Sequence, residues 1–204
     1  KRMNDVRLLD KIIELRTVCK IISHLKSQLI ERLPHYGNDA LFLQNDEITT
    51  GLLNNKTEIK IHLLTGELLY FDSENGHIVD LTHDKFDKRL ESIVTKYGLD
   101  MPKMSSFTLR HQYLFEYIAF AKKVNNSLEL FRMKLRDHFT QVHLWPDGFD
   151  FSVESFMMKN NEQIGVGVSP GDENYESPYL YVNPYPFNEN IVDQSLPIGK
   201  WHTS

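Results

Sequence analysis

Val142-His143-Leu144-Trp145-Pro146-Asp147-Gly148-Phe149-Asp150-Phe151-Ser152-Val153-Glu154 carries apolar and polar residues in alternation on both sides of a Pro-Asp-Gly turn. Such alternation marks two half-buried antiparallel strands joined as a hairpin. Directly opposed residues of an antiparallel pair share one side of the sheet, so loop length decides which side chains travel together. A four-residue loop sets Trp145 opposite Asp150 and puts Val142, Leu144, Phe151 and Val153 on one face, which reads as core. The other face then gathers His143, Trp145, Asp150, Ser152 and Glu154. A three-residue loop would pair Leu144 with Asp150 and mix the faces, so the four-residue register is the expected one.

Downstream, Ile164-Gly165-Val166-Gly167-Val168 reads as a strand in which alternate positions lack a side chain. Glycine inside a strand marks a bulge or a place where another group approaches the backbone. The simpler reading lays Trp145 over the bare strip, and the other leaves Gly165 and Gly167 open to a ligand. The loop Ser169-Pro170-Gly171-Asp172-Glu173 follows, either a solvated turn or a source of two acids beside the strand end. Tyr179-Leu180-Tyr181-Val182-Asn183-Pro184-Tyr185 then alternates tyrosines with mostly aliphatic residues. Tyr179 and Tyr181 on one face supply flat walls with hydroxyl tips, suited to a small organic ligand or to a protein interface.

Upstream, Leu8, Ile12, Leu15, Cys19, Ile22, Leu29 and Leu33 recur at helical spacing, which predicts a long amphipathic helix from about Asn4 to Leu33 stopped by Pro34. Lys26 falls on that stripe and is expected to snorkel. The period then switches to two. Strands are predicted over Ala40–Leu43, Glu47–Leu53, Thr57–Leu64, Glu67–Phe71 and His77–Leu81, the last after an Asn75-Gly76 hairpin signal. A shorter helix over Asp84–Tyr97, with Thr82 as N-cap and Gly98 at C′, comes next. Leu99–Ser106 reads as a linker. A second long helix, Ser106–Phe139, carries Leu114, Tyr117, Ala121, Val124, Leu128, Phe131 and Leu135 on its stripe.

The order predicts an α+β protein in which two long helices and one shorter one pack on antiparallel sheet. It is read as a single domain spanning 1–204, with an approximate duplication into halves 1–98 and 106–204 as one way to describe it.

The 204 residues are enough to bury a core, and 41% hydrophobic with 25% charged residues excludes long disorder. A net charge of −5 argues against a protein built around a phosphate backbone, and Lys122, Lys123, Arg132, Lys134 and Arg136 are spread in helical angle, so no nucleic acid is expected. Cys19 is the one cysteine; it precludes an intrachain disulfide and a Cys-rich zinc site, and it falls on a core stripe. No apolar run approaches a membrane span, no signal region follows Lys1-Arg2, and the start at Lys1 suggests that part of the terminus is missing. A cytoplasmic protein with no membrane partner is expected.

Walker, GxGxxG, GxSxG and HExxH patterns are all missing, which takes weight from nucleotide hydrolysis, dinucleotide redox chemistry, serine hydrolysis and HExxH-type zinc catalysis. His24, His35, His62, His77, His83, His111 and His138 show no ligand spacing. The remaining set, His143, Asp150, Glu154, Asp172, Glu173, Tyr179 and Tyr181, has the residue types for general acid–base work or for a His-carboxylate metal site, and its spacing requires neither. No cofactor and no metal are expected.

These residues also carry a resemblance. Ile48-Thr49-Thr50-Gly51, Val142-His143-Leu144-Trp145 with Phe149-Asp150-Phe151-Ser152-Val153, Gly167-Val168-Ser169-Pro170-Gly171-Asp172-Glu173 and Glu176-Ser177-Pro178-Tyr179-Leu180-Tyr181 with Pro184-Tyr185-Pro186 make the chain similar to an uncharacterised, mainly bacterial family, domain of unknown function 5996. The chain departs from that family in Pro146-Asp147, where relatives carry Gly and Ser, and in stopping at Trp201-His202-Thr203-Ser204, where relatives continue. The resemblance implies no activity, cofactor or catalytic residue. It directs interest to the His143 hairpin and the Asp172 loop.

Two functional expectations result. The first is a small organic ligand on the polar face of the second sheet half, with Trp145, Tyr179 and Tyr181 as walls, His143 and Asp150 orienting it, Ser152, Glu154, Gly165 and Gly167 in contact, and His143 with Asp172 or Glu173 as acid and base if the protein is an enzyme. The second is a non-catalytic interaction module or homodimer, built on a long amphipathic helix or the tyrosine-rich strand.

Overall fold

The computed structural model describes residues 8–53, 56–103, 107–135, 139–157, 162–187 and 195–201. Helices α1 (Leu8–Lys11) and α2 (Ile13–Leu29) are one amphipathic stretch interrupted at Ile12, whose φ of −112° and ψ of 16° leave the helical region. Ile12, Leu15, Val18, Cys19, Ile22 and Leu25 are buried, as the stripe requires. The helix ends before the expected Leu33. Ile30 is extended, and the Asn38 side chain accepts from Leu33 N–H and donates to the Glu31 carbonyl (3.1 Å), so residues 31–33 are held as a loop and Leu33 is 45% exposed. The expected stretch Asn4–Arg7 lies outside the described residues.

Two antiparallel meanders follow. The first joins β1 (Phe42–Gln44), β2 (Glu47–Thr49), β3 (Glu58–His62), β4 (Glu67–Phe71) and β5 (Gly76–Asp80) in chain order. The second joins β6 (His143–Trp145), β7 (Asp150–Met157), β8 (Glu162–Ser169) and β9 (Tyr179–Tyr185). Leu41 and Leu144 exchange backbone hydrogen bonds of 2.9 and 2.8 Å, which links the two along β1 and β6. Apolar residues alternate in the inner strands: Ile48, Ile59, Ile61, Leu68, Tyr70 and Val79 in the first sheet and Leu144, Phe151 and Val153 in the second are buried and face one way, while Thr49 and Ser152 are buried on the opposite face. Helices α3 (Phe86–Lys96) and α4 (His111–Lys134) contribute Phe86, Leu90, Val94, Leu114, Tyr117, Ala121, Val124 and Leu128 to the same hydrophobic cluster, which also takes in α2.

Several local expectations are corrected. Gly76 is not a turn residue but pairs with Phe71; the turn is Asp72–Asn75, closed by the Asp72 carboxylate, which accepts from Glu74 and Asn75 N–H (both 2.7 Å) and is held below the usual carboxylate range by those bonds. Thr82 does not cap α3, because its N–H and hydroxyl both turn back to Asp80 (2.9 and 2.6 Å) and Lys85, in the left-handed region, precedes the helix. Gly98 does sit in the left-handed C′ position, with Leu99 N–H returning to the Val94 carbonyl. The presumed linker is anchored at its start by buried Leu99, and Leu109, three residues past its expected end, is buried with its N–H on the Leu81 carbonyl. Helix α4 starts at His111 and ends at Lys134, and Phe131 and Leu135, expected on its buried stripe, are exposed; Ser106 and residues 136–138 lie outside the described residues.

Candidate functional site

The β6–β7 hairpin forms in the four-residue register, with His143, Leu144 and Trp145 opposite Ser152, Phe151 and Asp150. Its loop is pinned from below by Phe149, which is fully buried, stacks on Tyr117 at 5.1 Å and returns its N–H to the Trp145 carbonyl. The polar face of the hairpin is wired to one carboxylate. Trp145 Nε1 aims its hydrogen between Ser152 Oγ (2.7 Å) and Glu154 Oε1 (3.2 Å), and Ser152 Oγ donates to the same Glu154 oxygen. On the other oxygen, His143 Nδ1 lies at 3.3 Å and Thr140 Oγ1 at 3.2 Å. The His143 contact is a hydrogen bond only with the proton on Nδ1, so Glu154 selects that form of the ring. Burial alone would raise the Glu154 pKa, but the bonds from His143 and Ser152, the His143 charge and the Trp145 N–H outweigh it and hold the carboxyl below its usual range.

A second polar pair lies one strand further. Tyr181 donates its hydroxyl to Asp150 Oδ2. Burial raises the Asp150 pKa against that bond, while burial and then the Asp150 charge raise the Tyr181 pKa. Tyr181, opposite Gly167 in the register, lays its ring across that glycine, and a Cβ there would overlap the ring and the Phe151 carbonyl. The bare strip is thus covered at Gly167 by Tyr181 and not by Trp145. At Gly165 the nearest atoms to a Cβ are 3.9 Å away, Glu154 Cγ among them, so the backbone there has room.

Asp172 is engaged by its own turn. Its Oδ1 accepts from Asn174 and Tyr175 N–H (2.7 and 2.8 Å), and its Oδ2 accepts from the Tyr179 hydroxyl. Burial, followed by the Asp172 contact, raises the Tyr179 pKa. Glu173 is exposed.

A cleft of about 550 Å³ opens over the polar face. Trp145, Glu154, Phe156 and Gln163 form its floor; Lys20, Ser23, His24 and Ser27, spaced along one face of α2, form a wall; His35, Tyr36 and Asp39 close the far side and Pro146-Asp147 the rim. A neighbouring hollow of about 600 Å³ shares Ser27, His35, Tyr36 and Asp39. His35 stacks on Phe156 with ring centroids 3.6 Å apart and planes 15° from parallel. Both His35 (φ 54°) and Tyr36 (φ 58°) sit in the left-handed region, which a non-glycine side chain rarely occupies. The wall is held by Lys26. It does not snorkel: at 3% exposure it donates to the Gly37 and Ala40 carbonyls (2.9 and 2.6 Å), and burial pulls its pKa down to about 8 against the opposing pull of Asp39.

Of the residues singled out in the sequence, Trp145 and Glu154 line the cleft. His143 and Ser152 act behind them by holding Glu154, Asp150 is tied to Tyr181, and Asp172 and Tyr179 bind each other at the loop. Lys20, His24, His35, Tyr36, Asp39, Phe156 and Gln163 were not singled out. Only the α2 group left a trace, because Lys20, Ser23, His24 and Ser27 follow helical spacing on the polar side of the stripe. Among the described residues no group of three or more His, Cys, Asp or Glu is placed to hold a metal ion, and no helix is long and apolar enough to cross a membrane. Lys122 pairs with Asp46, and Arg132 with Glu129 at 2.7 Å; Arg136 lies outside the described residues. No protein-family model, no curated protein and no solved structure matches the chain.

Proposed function

We propose that this chain binds a small organic molecule in the cleft between α2 and the polar face of the β6–β9 sheet. The observation that carries this reading is the position of the Trp145 indole. Its N–H is taken by Ser152 and Glu154 beneath, so the ring is fixed edge-down and offers apolar surface to a cleft of about 550 Å³, a size suited to small ligands. Glu154 is a positioning residue here. Its two oxygens are surrounded by Trp145, Ser152, His143 and Thr140, and a carboxylate so occupied orients its neighbours more readily than it takes a proton from a ligand. Acid–base chemistry by His143 with Asp172 gains no support, since each is engaged by a different partner. The family placement with domain of unknown function 5996 stands as a proposal on the motifs of the hairpin and the Asp172 loop, and it is consistent with the hairpin as the centre of interest.

The test is a fragment screen read by ¹⁵N NMR. Binding in the cleft shifts the Trp145 indole and the His24 and Ser27 amides together, and Trp145→Ala abolishes it. A chemically broad screen that moves none of these signals sinks the reading.

A homodimer is the second reading, favoured by Leu180 and Val182, which project from the apolar side of edge strand β9 at 66% and 55% exposure. Sedimentation that finds only monomer up to high concentration, unaltered by Leu180→Asp, removes it.

A further inference from the structure

On the reading that the cleft binds a small molecule, we infer that the ligand is an uncharged planar heteroaromatic ring carrying a lactam edge, seated on Phe156 in the place His35 now occupies. The His35 imidazole already lies on Phe156 with the spacing and near-parallel planes of a stacked ring, so the floor accepts a flat conjugated group there. Little else holds the His35 ring in place. It is exposed, its ring has no hydrogen-bond partner among the described residues, and it is presented by two successive residues with positive φ. An L side chain in that region is disfavoured by contact with its own backbone, so the segment that presents His35 is strained, and a ring competing for Phe156 would let the strain relax.

The neighbouring polar group selects the edge of the ring. Gln163 stands opposite Phe156 in the β7–β8 register, on the same face, and its amide has no hydrogen-bond partner among the described residues. A primary amide offers one acceptor and a donor side by side, which a cyclic amide N–H and C=O complement. Most charges around the cleft are engaged: Lys20 pairs with Asp147 at 2.9 Å, Lys26 is held by two carbonyls, and Glu154 is enclosed by its donors, which leaves the exposed Asp39 carboxylate on the far side. An anionic ligand would lose hydration without gaining a free counter-charge, and a cationic one would gain only a solvent-screened pair with exposed Asp39, so an uncharged ring is favoured.

The experiment titrates the full chain with three probes: hypoxanthine (planar, with a lactam), 2-piperidone (a lactam that is not planar) and benzimidazole (planar, without a lactam). The signals followed are the Gln163 side-chain amide, the His35 ring and the Trp145 indole. Hypoxanthine is expected to bind best and to move all three. His35→Gly removes the competing ring and permits the positive φ, and it is expected to tighten hypoxanthine binding about tenfold, the gain that freeing a mostly occupied site supplies. Phe156→Leu keeps an apolar floor without a stacking plane and is expected to weaken it at least about fivefold, the low end of base–aromatic stacking. If 2-piperidone or benzimidazole binds as well as hypoxanthine, or His35→Gly binds no tighter, the ring assignment is overturned while the cleft remains a ligand site. If no probe and no member of the broader screen moves Trp145, the cleft reading itself has failed.

Discussion

The two meanders present outer faces built on the same alternation but used differently. On the first sheet, outer residues pair locally with their neighbours: Lys60 with Glu47 (2.9 Å), Thr49 with Glu58 (2.7 Å), Thr65 with Glu67 (2.8 Å). On the second, Trp145, Ser152, His143 and Thr140 converge on Glu154, and α2 with residues 35–39 borders that face to form a cleft. A polar strand face is a wet surface when nothing overhangs it, and it becomes a site when a second element limits the water and its polar groups must satisfy one another.

The largest effect that separates the two faces is expected at Glu154. Glu154→Ala strips four neighbours of their common acceptor in a largely buried setting and should cost about 2–4 kcal/mol in denaturant unfolding. Lys60→Ala on the first sheet should cost under about 1 kcal/mol, as partly exposed ion pairs do. Equal losses at the two positions would break the comparison.

Gly167→Ala should follow, at about 1–3 kcal/mol, because the new methyl overlaps the Tyr181 ring and the Phe151 carbonyl, whereas Gly165→Ala should be far milder. A reversed order would mean that Tyr181 does not lie across the sheet. Beneath the same hairpin, the Tyr117 hydroxyl is buried with no hydrogen-bond partner among the described residues, so Tyr117→Phe should stabilise by about 1 kcal/mol. A loss on this change would show that the hydroxyl is bonded.

Two further effects are read against pH. Lys26 has a folded pKa of about 8 against an ordinary 10.5, so between those values the unfolded chain holds the extra proton and stability should rise with pH. Lys26→Met should remove that rise. Glu154 has the opposite kind of window: its folded pKa lies below its ordinary value of 4.5, so its contribution is complete above that pH and is lost as pH falls through the folded pKa. Glu154→Gln should flatten the acid limb of a stability-against-pH curve.

Much of the fold was legible because its signals are local and periodic. The hairpin register could be read from a single constraint, that Val142, Leu144, Phe151 and Val153 must share a face, and a slip by one residue would have buried Asp150 in their place. The errors fell where a side chain had alternatives of equal local merit. Thr82 had the chemistry of an N-cap but found Asp80 closer, Asn75-Gly76 was overruled by the Asp72 carboxylate, and Lys26 met two carbonyls of a loop more than ten residues away instead of solvent.

For the site, the sequence by itself determined the hairpin's part of the floor, Trp145 and Glu154 with the side chains that hold them. Strand alternation places His143, Trp145, Asp150, Ser152 and Glu154 together without reference to the rest of the chain, because the period of a strand is a property of the backbone. Only the tertiary structure decided what stands over that floor. Lys20, His24, His35 and Tyr36 lie more than a hundred residues before the hairpin and come to it through the packing of α2 and the Leu41–Leu144 bridge, contacts set by the sum of many apolar burials that no short window of sequence contains.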